Sequence, residues 1–440
     1  MTYGRYARAD ALKLSSWVAV IRIVLTRSVK KMANLSSEGL TASEIDVIRL
    51  RARKAIGELS PAGSPRSQAE LNGALLSSRT AASRSLPPYY LVYFLLVDLL
   101  GFYHMGEWEK VAWSVPVRLG EKLYLIEHRK FGLGIFAPNL EAGATQSGFP
   151  SADAEADAVQ IARLIRSGVS AAEPYFESRA RSAVATENIN VVNKNQALFE
   201  RYVYFNDRAR SLSDEAEARK EEKIIEEGST PSGGWWKSVT YPSYKLRLES
   251  EWNAQAAIEA FFSWTEHIFI HLAILRGVLR TGEDVAKLAD ADWKAKFKAA
   301  LDIGDAESKA FYDSLLDLRA QIRNFMAHGA FGKHGEAFSF HSGAGAVPIL
   351  LSQQKAHRFS MTGKPDFNEN QALEEISRFI AHLWSGPRAP AQIYIESGLP
   401  GVLTFACDGT YADVMRSEAK MNRFVDRMSG EADRAANMDW

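Results

Sequence analysis

The chain has 440 residues, of which 46% are hydrophobic and 24% charged, and its formal net charge is zero. This length exceeds what a single hydrophobic core normally holds, and the composition excludes fibrous and largely disordered proteins, so we expect a globular chain of several domains. Cys407 is the only cysteine, which excludes an intramolecular disulfide framework and favours a reducing compartment. We expect Cys407 to be a small buried hydrophobic residue.

The apolar runs do not predict a membrane segment or a secretory signal. The run at residues 89–103 is shorter than the roughly 20 residues that a bilayer requires, and it contains Asp98. The N-terminal run at residues 15–25 is interrupted by Arg22 and has no small-residue cleavage site after it. The sequence therefore predicts a cytoplasmic protein with no membrane partner.

The N-terminal part of the chain is basic although the whole chain is neutral. Residues 1–90 hold 14 Lys and Arg against six Asp and Glu, a net charge of +8. Such an excess is a candidate electrostatic footprint for RNA. The densest cluster, and our candidate RNA-binding set, is Arg49, Arg51, Arg53 and Lys54. The alternative is that these residues form the solvated side of a surface helix, because basic and apolar positions alternate at helical spacing.

The first third of the chain is expected to be helical with one small sheet. Helices are predicted at about residues 11–31, 41–59, 67–82 and 88–104, with a loop at 59–66 where prolines, glycine and serines cluster. Residues 113–138 alternate apolar and polar side chains around turn glycines, which predicts a small antiparallel sheet. A loop rich in Gly, Ser and Pro follows at 141–151.

Helical patterns dominate the remainder. We expect helices at 153–185, from 191 into a charged tract at 214–228, at 368–384 and at 410–428, a hairpin at 332–351 and a short strand at 392–400. Residues 229–234 are expected to be a hinge. The prediction is a mainly α, multi-domain protein with small β hairpins. Its segments would be a basic helical region with a small sheet at 1–145, a helical region with a long charged helix at 146–228, and a helical bundle domain at 235–440.

The most informative segment is RNFMAHG at residues 323–329, at the end of a strongly patterned helix. Leu315, Leu318 and Ile322 recur at the spacing of one helix face, whereas Arg323, Asn324 and His328 fall outside that stripe. Asn324 and His328 are four residues apart and share a side of the helix. Gly329 is a plausible residue for the helix end, which would place His328 in the last turn.

An arginine followed directly by asparagine, with a histidine a few residues later, resembles the R-N-x3-H signature of the HEPN superfamily (higher eukaryotes and prokaryotes nucleotide-binding domains), whose members include helical RNases. A second similarity is the aromatic-rich segment 252–275, which carries Glu266 where many such domains place an acidic residue facing the motif. The resemblance covers about residues 246–384. It implies an endoribonuclease that acts as a homodimer with two motifs facing one cleft. It also implies a toxin or antiviral-defence effector, restrained by its own N-terminal half or by a regulatory or antitoxin protein.

The residue types support this chemistry without the family. Cleavage of RNA through its own 2′-OH needs a group that moves a proton near neutral pH and a cation that stabilises the charge on the phosphate. Histidine has the first property, and the planar arginine side chain has the second. We therefore predict Arg323, His328 and Asn324 as catalytic residues and Glu266 as a supporting residue, with no cofactor and no metal. The dimer interface is expected to include the aromatic residues around 261–269 or the segment beside Gly329.

Two rival functions remain open. The same groove could bind a nucleotide or RNA without cleaving it, or the motif could be only a helix end of a structural or interaction protein, since cations are favourable at that end of the helix dipole. Other histidines are weaker candidates. His267 and His271 share a helix face but lack a third metal ligand, so we interpret them as packed or partly exposed side chains. His334 and His341 flank the predicted hairpin, where a solvated turn is the simpler interpretation. Glu259 shares a face with Glu266.

Overall fold

The computed structural model describes residues 39–63, 65–141, 148–327, 336–351, 359–361 and 368–438. Within these ranges the protein is mainly helical with small antiparallel sheets, which confirms the predicted fold class at this level. The packing divides the chain into a first unit, Met1–Ile189 with Asp426–Trp440, and a second unit, Asn190–Val425. The three-segment organisation predicted from the sequence stays a prediction.

The first unit is built on a five-stranded antiparallel sheet with strand order β1-β3-β4-β5-β2. This confirms the predicted sheet and extends it, because Leu59–Pro61 of the expected loop pairs with β3. The strands are β1 (Leu59–Pro61), β2 (Ser78–Arg79), β3 (Val111–Leu119), β4 (Lys122–Arg129) and β5 (Gly132–Ala137). The helices are α1 (Ala42–Ile56), α2 (Gln68–Leu75), α3 (Tyr89–Tyr93) with a π-helical continuation (Phe94–Leu99), α4 (Ala152–Ala171) and α5 (Glu173–Val184).

The core of the first unit lies between one face of this sheet and helices α1 and α4. Val115, Ile126 and Ile135 of the sheet are fully buried in one cluster with apolar residues of both helices. Gly168 of α4 allows the close approach, because a Cβ atom there would lie 2.6 Å from Ile56. Helix α1 starts at a capping box formed by Thr41 and Glu44.

The helices predicted in this region are mostly shorter than expected. The helix predicted at 67–82 ends at Leu75, since Ser78–Arg79 pairs with β5. The helix predicted at 88–104 ends with the π-helical turns at Leu99. The helix predicted at 153–185 is confirmed as α4 and α5. The helix predicted at 11–31 lies outside the described residues, as do residues 142–147 of the expected loop.

The second unit is organised around α6 (Asn195–Ala218) and α7 (Pro242–Leu275), which pack along each other. Further helices of this unit are α8 (Gly282–Asp290), α9 (Trp293–Ala300), α10 (Ala306–Ala327), α11 (Glu369–Leu383), α12 (Ala389–Glu396), α13 (Leu403–Cys407) and α14 (Thr410–Val414). Helix α15 (Glu418–Asn437) contributes residues to both units. The strands are β6 (Asn190–Val191), β7 (Ile224–Ser229), β8 (Trp235–Thr240), β9 (Glu336–Ser342), β10 (Gly345–Leu351), β11 (Phe359–Ser360) and β12 (Gly401–Val402).

Aromatic side chains of α7 form the centre of the second core. Phe261, Trp264 and Phe269 are at most 1% exposed, and the rings of Phe261 and Phe269 contact Trp293, Phe297 and Phe379 of neighbouring helices. The indole N–H of Trp264 donates to Asn195 at 2.8 Å, so the buried polar group is satisfied. The predicted dimer interface around residues 261–269 is therefore wrong for these rings, because they already pack inside their own chain. The segment beside Gly329 lies outside the described residues.

Helix α7 is also long and apolar enough to cross a membrane by length and composition alone. Because 72% of its most apolar window is buried inside the unit, the core of a soluble helical domain explains the same pattern. The predicted absence of a membrane partner stays a prediction.

Two segments between predicted helices differ from expectation for identifiable reasons. The predicted long helix stops at Ala218, and Ile224–Ser229 pairs with Trp235–Thr240 instead, because β-branched and aromatic residues favour the pleated ladder. The expected hinge at 229–234 is the turn of this hairpin, closed by the N–H of Gly233 donating to the carbonyl of Thr230 at 2.9 Å. Gly233 has φ of 82°, a conformation that glycine adopts without strain.

The strand predicted at 392–400 is wrong. Residues 392–396 belong to α12, which begins with Pro390 in its first turn and buries Ala391, Tyr394 and Ile395 at helical spacing, and residues 397–400 form a turn and a loop. The hairpin and the helix expected after the motif are confirmed in the described residues as β9–β10 and α11. The predicted C-terminal helix is present as α14 and α15.

Candidate functional site

Residues 323–327 of the motif lie on α10, whose burial pattern follows the predicted stripe. Leu315, Leu318 and Ile322 are at most 7% exposed and attach the helix to the core. Arg323 and Asn324 are helical positions in its last two turns. His328 and Gly329 lie outside the described residues. The helix that presents the motif is thus confirmed, and the catalytic roles of Arg323, Asn324 and His328 stay predictions.

The start of α10 is fixed by a buried hydrogen-bonded pair. Ser308, 1% exposed, lies 2.9 Å from Nε2 of His382 on α11, and Nδ1 of the same ring lies 3.2 Å from Glu307. This order of contacts matches that of a serine–histidine–acid hydrolase site. Since the serine is enclosed by protein, we interpret the group as an anchor between α10 and α11.

Glu266 of α7 is held by two cations. The ammonium group of Lys296 on α9 donates to Oε2 at 2.9 Å, and Nη2 of Arg319 on α10 donates to Oε1 at 2.8 Å. Lys296 is 5% exposed, whereas the side chains of Arg319 and Glu266 are 39% and 32% exposed. The guanidinium group of Arg319 also lies 5.8 Å from the ring centre of Phe262. The carboxylate therefore fixes the orientation of Arg319 while leaving part of it open to solvent.

This group borders a cleft with a volume of about 650 Å³ between α6, α7 and α10. The charged residues that line it are Arg201 of α6, Glu259 and Glu266 of α7, and Arg319 of α10. Ile322 also lines the cleft, and Arg323 follows it directly. Because Arg323 is four residues after Arg319, both positions share one side of the helix on successive turns. The cleft thus reaches the part of α10 that carries the motif.

The structure brings together some of the predicted site residues and adds others. Glu266 pairs with Arg319 and Lys296, and Glu259 lines the same cleft. The sequence reasoning missed Arg201, Lys296 and Arg319. For Arg319 a signal existed, since it stands one helical turn before Arg323. For Lys296 and Arg201, which lie on separate helices, the sequence holds no comparable signal.

The candidate RNA-binding residues of the first unit fall into two pairs on α1. Arg49 donates from Nε to the carbonyl of Leu99 at 2.8 Å and also pairs with Asp46. Arg53 donates to the carbonyl of Leu59 at 3.1 Å. All four residues are exposed, and Arg49 and Arg53 in addition hold these main-chain contacts. The predicted contact with RNA stays a prediction.

His267 and His271 are packed side chains, as interpreted from the sequence. Nε2 of His267 accepts the N–H of Lys194 at 2.8 Å, and Nε2 of His271 lies 3.2 Å from the carbonyl of Val192. Burial lowers the pKa of His267 to about 4 and that of His271 to about 3, so both rings are neutral at pH 7. Among the described residues, no group of three or more His, Cys, Asp or Glu side chains could hold a metal ion.

Two weaker expectations can also be placed. Cys407 is exposed at the end of α13, so its predicted burial is wrong; it follows the buried Phe405 at the point where the helix ends. His341 is an exposed residue of β9, which agrees with a solvated position. His334 lies outside the described residues.

Comparison of the chain with known proteins identifies no relative. No protein family, no curated protein and no solved structure matches the chain. The HEPN resemblance therefore rests on the residues named above and stays a prediction.

Proposed function

We propose that the second unit is an endoribonuclease that cleaves RNA through attack of the 2′-OH on the neighbouring phosphate, with Arg323 and His328 as catalytic residues. The observation that carries this proposal is the continuity of α10. The helix places Arg319 in an open cleft, held by Glu266, and one turn later it presents Arg323 and Asn324. A cleft with oriented guanidinium groups is suited to an RNA backbone, because arginine donates two parallel hydrogen bonds to phosphate oxygens.

The reaction needs only groups of this kind. The 2′-oxygen forms a bond to phosphorus, the bond from phosphorus to the 5′-oxygen breaks, and a proton moves from the 2′-OH to the leaving oxygen. His328 would transfer that proton near neutral pH. Arg323 would stabilise the charge on the phosphate, and Asn324 would donate to it or orient a partner. The products are a 2′,3′-cyclic phosphate and a 5′-OH, and no metal or cofactor takes part in these steps.

Glu266 has a supporting role in this proposal. By accepting from Lys296 and Arg319, it holds Arg319 at the cleft wall rather than contacting RNA itself. An anionic substrate in the cleft would meet the guanidinium groups of Arg201 and Arg319, which both line it. A role as a toxin or antiviral-defence effector, held inactive by a regulatory protein, belongs to the same proposal.

A second candidate is a module that binds a nucleotide or RNA in this cleft without cleaving it. The observation in its favour is the Glu266–Arg319 ion pair, which partly neutralises the cleft before any ligand arrives. The two candidates differ in whether His328 matters for chemistry.

The test is cleavage of total RNA in the presence of EDTA by the parent, by His328→Ala and by His341→Ala. A positioned acid or base contributes about 10²- to 10⁴-fold in rate, so His328→Ala should lose at least about a hundredfold. His341→Ala removes an exposed histidine from β9 and should cleave like the parent. A parent that shifts its melting temperature with nucleotides but leaves RNA intact would establish the binding module instead.

A further inference from the structure

The hairpin β7–β8 exposes an unusual amount of apolar surface. Trp235 is 67% exposed, Ile225 52%, Trp236 44% and Val239 43%, and every residue of β8 is exposed. It is a two-stranded sheet with no further strand on either edge among the described residues. An isolated two-stranded sheet is marginally stable in water, and clustered exposed aromatic residues are typical of interaction surfaces. The hairpin therefore has the features of a docking element.

Charge distinguishes its two edges. β7 carries Glu226 and Glu227 in neighbouring positions, so a second copy pairing at this edge with either glutamate at the two-fold axis would place carboxylates opposite each other. β8 contains no acidic residue, and its only charge, Lys237, is already paired with Glu227 at 2.8 Å. The outer edge of β8 can thus accept a strand without bringing unpaired like charges together.

We propose that two copies of the chain associate through the outer edges of β8, forming a four-stranded antiparallel sheet. An isologous contact about a two-fold axis must place one residue opposite its own copy. With Lys237 at that centre, two ammonium groups would face each other. With Ser238 at the centre, the serines face each other, Trp236 lies opposite Thr240 of the other copy, and Lys237 lies opposite Val239.

This register is self-complementary. The central pair joins two hydroxyl groups, and the pairs of Trp236 with Thr240 join an aromatic ring with a β-branched side chain, both of which stabilise antiparallel strands. The hairpin Ile224–Thr240 carries Glu226, Glu227 and Lys237, a net charge of −1, so it lacks the basic excess that RNA would require. A second copy therefore fits this edge better than a nucleic acid does.

The test uses charge reversal at the centre of the register. Ser238→Glu and Ser238→Lys each place like charges opposite each other and should weaken self-association by at least about tenfold, measured by analytical ultracentrifugation. Mixing the two variants should restore the dimer, because Glu then faces Lys. Ser232→Glu adds the same charge at the exposed turn and should leave the dimer unchanged.

The result does not depend on catalysis. Circular dichroism of each variant establishes that the fold is retained. A parent chain that stays monomeric at tens of micromolar would overturn the proposal. So would a dimer that Ser238→Glu leaves intact, or a mixture of the two charged variants that fails to associate.

Discussion

Two carboxylates, one in each unit, have similar partners but different surroundings. Glu127 on β4 accepts from Ser114 at 2.9 Å and from Arg129 at 2.5 Å, and its side chain is 2% exposed. Glu266 on α7 accepts from Lys296 and Arg319, and its side chain is 32% exposed beside the cleft. Each carboxylate therefore fixes an arginine, but only the second carboxylate does so at the wall of the cleft described above.

The contrast shows why partners alone do not identify a site. Glu127 lies in the middle of a strand that is paired on both sides, so its contacts link strands of the sheet. Glu266 joins three helices at the edge of an open volume, next to the helix that carries the motif. Enclosed ion pairs contribute to a unique structure, and ion pairs at a cleft can orient groups for binding.

The largest expected effect is on RNA cleavage and concerns Arg323, which follows the Glu266–Arg319 pair by one helical turn. Arg323→Lys keeps the positive charge but loses the planar pair of donors, so RNA cleavage should fall by about a hundredfold or more. Arg416→Lys is a matched control, since Arg416 is exposed and remote in sequence. Initial cleavage rates of both variants provide the measurement. Full activity of Arg323→Lys would mean that a point charge suffices.

The second prediction compares the two carboxylates directly. Glu127→Gln should lower the free energy of unfolding by about 2 kcal/mol, because Ser114 and Arg129 lose a charged partner in an enclosed place. Glu266→Gln should cost less, about 1 kcal/mol, because solvent reaches the carboxylate and Arg319, although the buried Lys296 also loses its anionic partner. Urea titration measures both, with the exposed Glu109→Gln as control. Equal losses of unfolding free energy in Glu127→Gln and Glu266→Gln would contradict the distinction between the buried and the cleft carboxylate.

The third prediction concerns how the free energy of unfolding depends on pH through the buried His128 of the first unit. The ring of His128 stacks on Tyr89 at 4.2 Å, and burial lowers its pKa to about 4 from 6.5. The unfolded chain binds this proton more readily, so the contribution to stability is complete above pH 6.5 and is lost as pH falls towards 4. The slope is at most about 1.4 kcal/mol per pH unit.

His128→Phe keeps the stacking and should flatten this slope by up to one proton, measured by urea titrations at pH 7, 5.5 and 4.5. His341→Phe, at an exposed position, should leave the slope unchanged. An identical slope in His128→Phe and the parent would show that folding does not lower the pKa of this ring.

The smallest effects are expected on α1. Arg51→Ser with Lys54→Ser should leave stability unchanged and reduce the slope of log affinity for RNA against log salt by about 0.7 for each RNA phosphate that the variant no longer binds. Arg49→Ser with Arg53→Ser should instead lower stability, because both side chains donate to main-chain carbonyls. If the first pair leaves the salt slope unchanged, these charges are only the solvated face of a helix.

The sequence predicted those parts of the fold whose patterns are local. Alternation of apolar and polar residues predicted the sheet at 113–138 and the hairpin after the motif. Helical periodicity predicted α10 and α11. Where local patterns are ambiguous, the predictions were wrong. Residues 392–400 alternate like a strand, yet 392–396 belong to helix α12. The sequence of Ile224–Ser229 resembles part of a charged helix, and only its pairing with Trp235–Thr240 shows that it is a strand.

The residues of the candidate site likewise include some that the sequence predicted and others that only the structure shows. Glu266 could be proposed from the sequence because its position upstream of the motif resembles that of the acidic residue in many HEPN domains. Lys296 and Arg201 reach the cleft through tertiary packing, which no spacing in one sequence encodes. The burial of Phe261 and Phe269 in their own core could not be predicted from the sequence either. The exposed aromatic side chains lie instead on the hairpin β7–β8.

The central claim is that the helix at this cleft carries a ribonuclease motif that uses the 2′-OH of its substrate. The most direct measurement is the end chemistry of RNA fragments produced in EDTA by the parent and by His328→Ala. Our account predicts 2′,3′-cyclic phosphate and 5′-OH ends from the parent and almost none from the variant. Fragments with 5′-phosphate ends, or equal cleavage by His328→Ala, would contradict it.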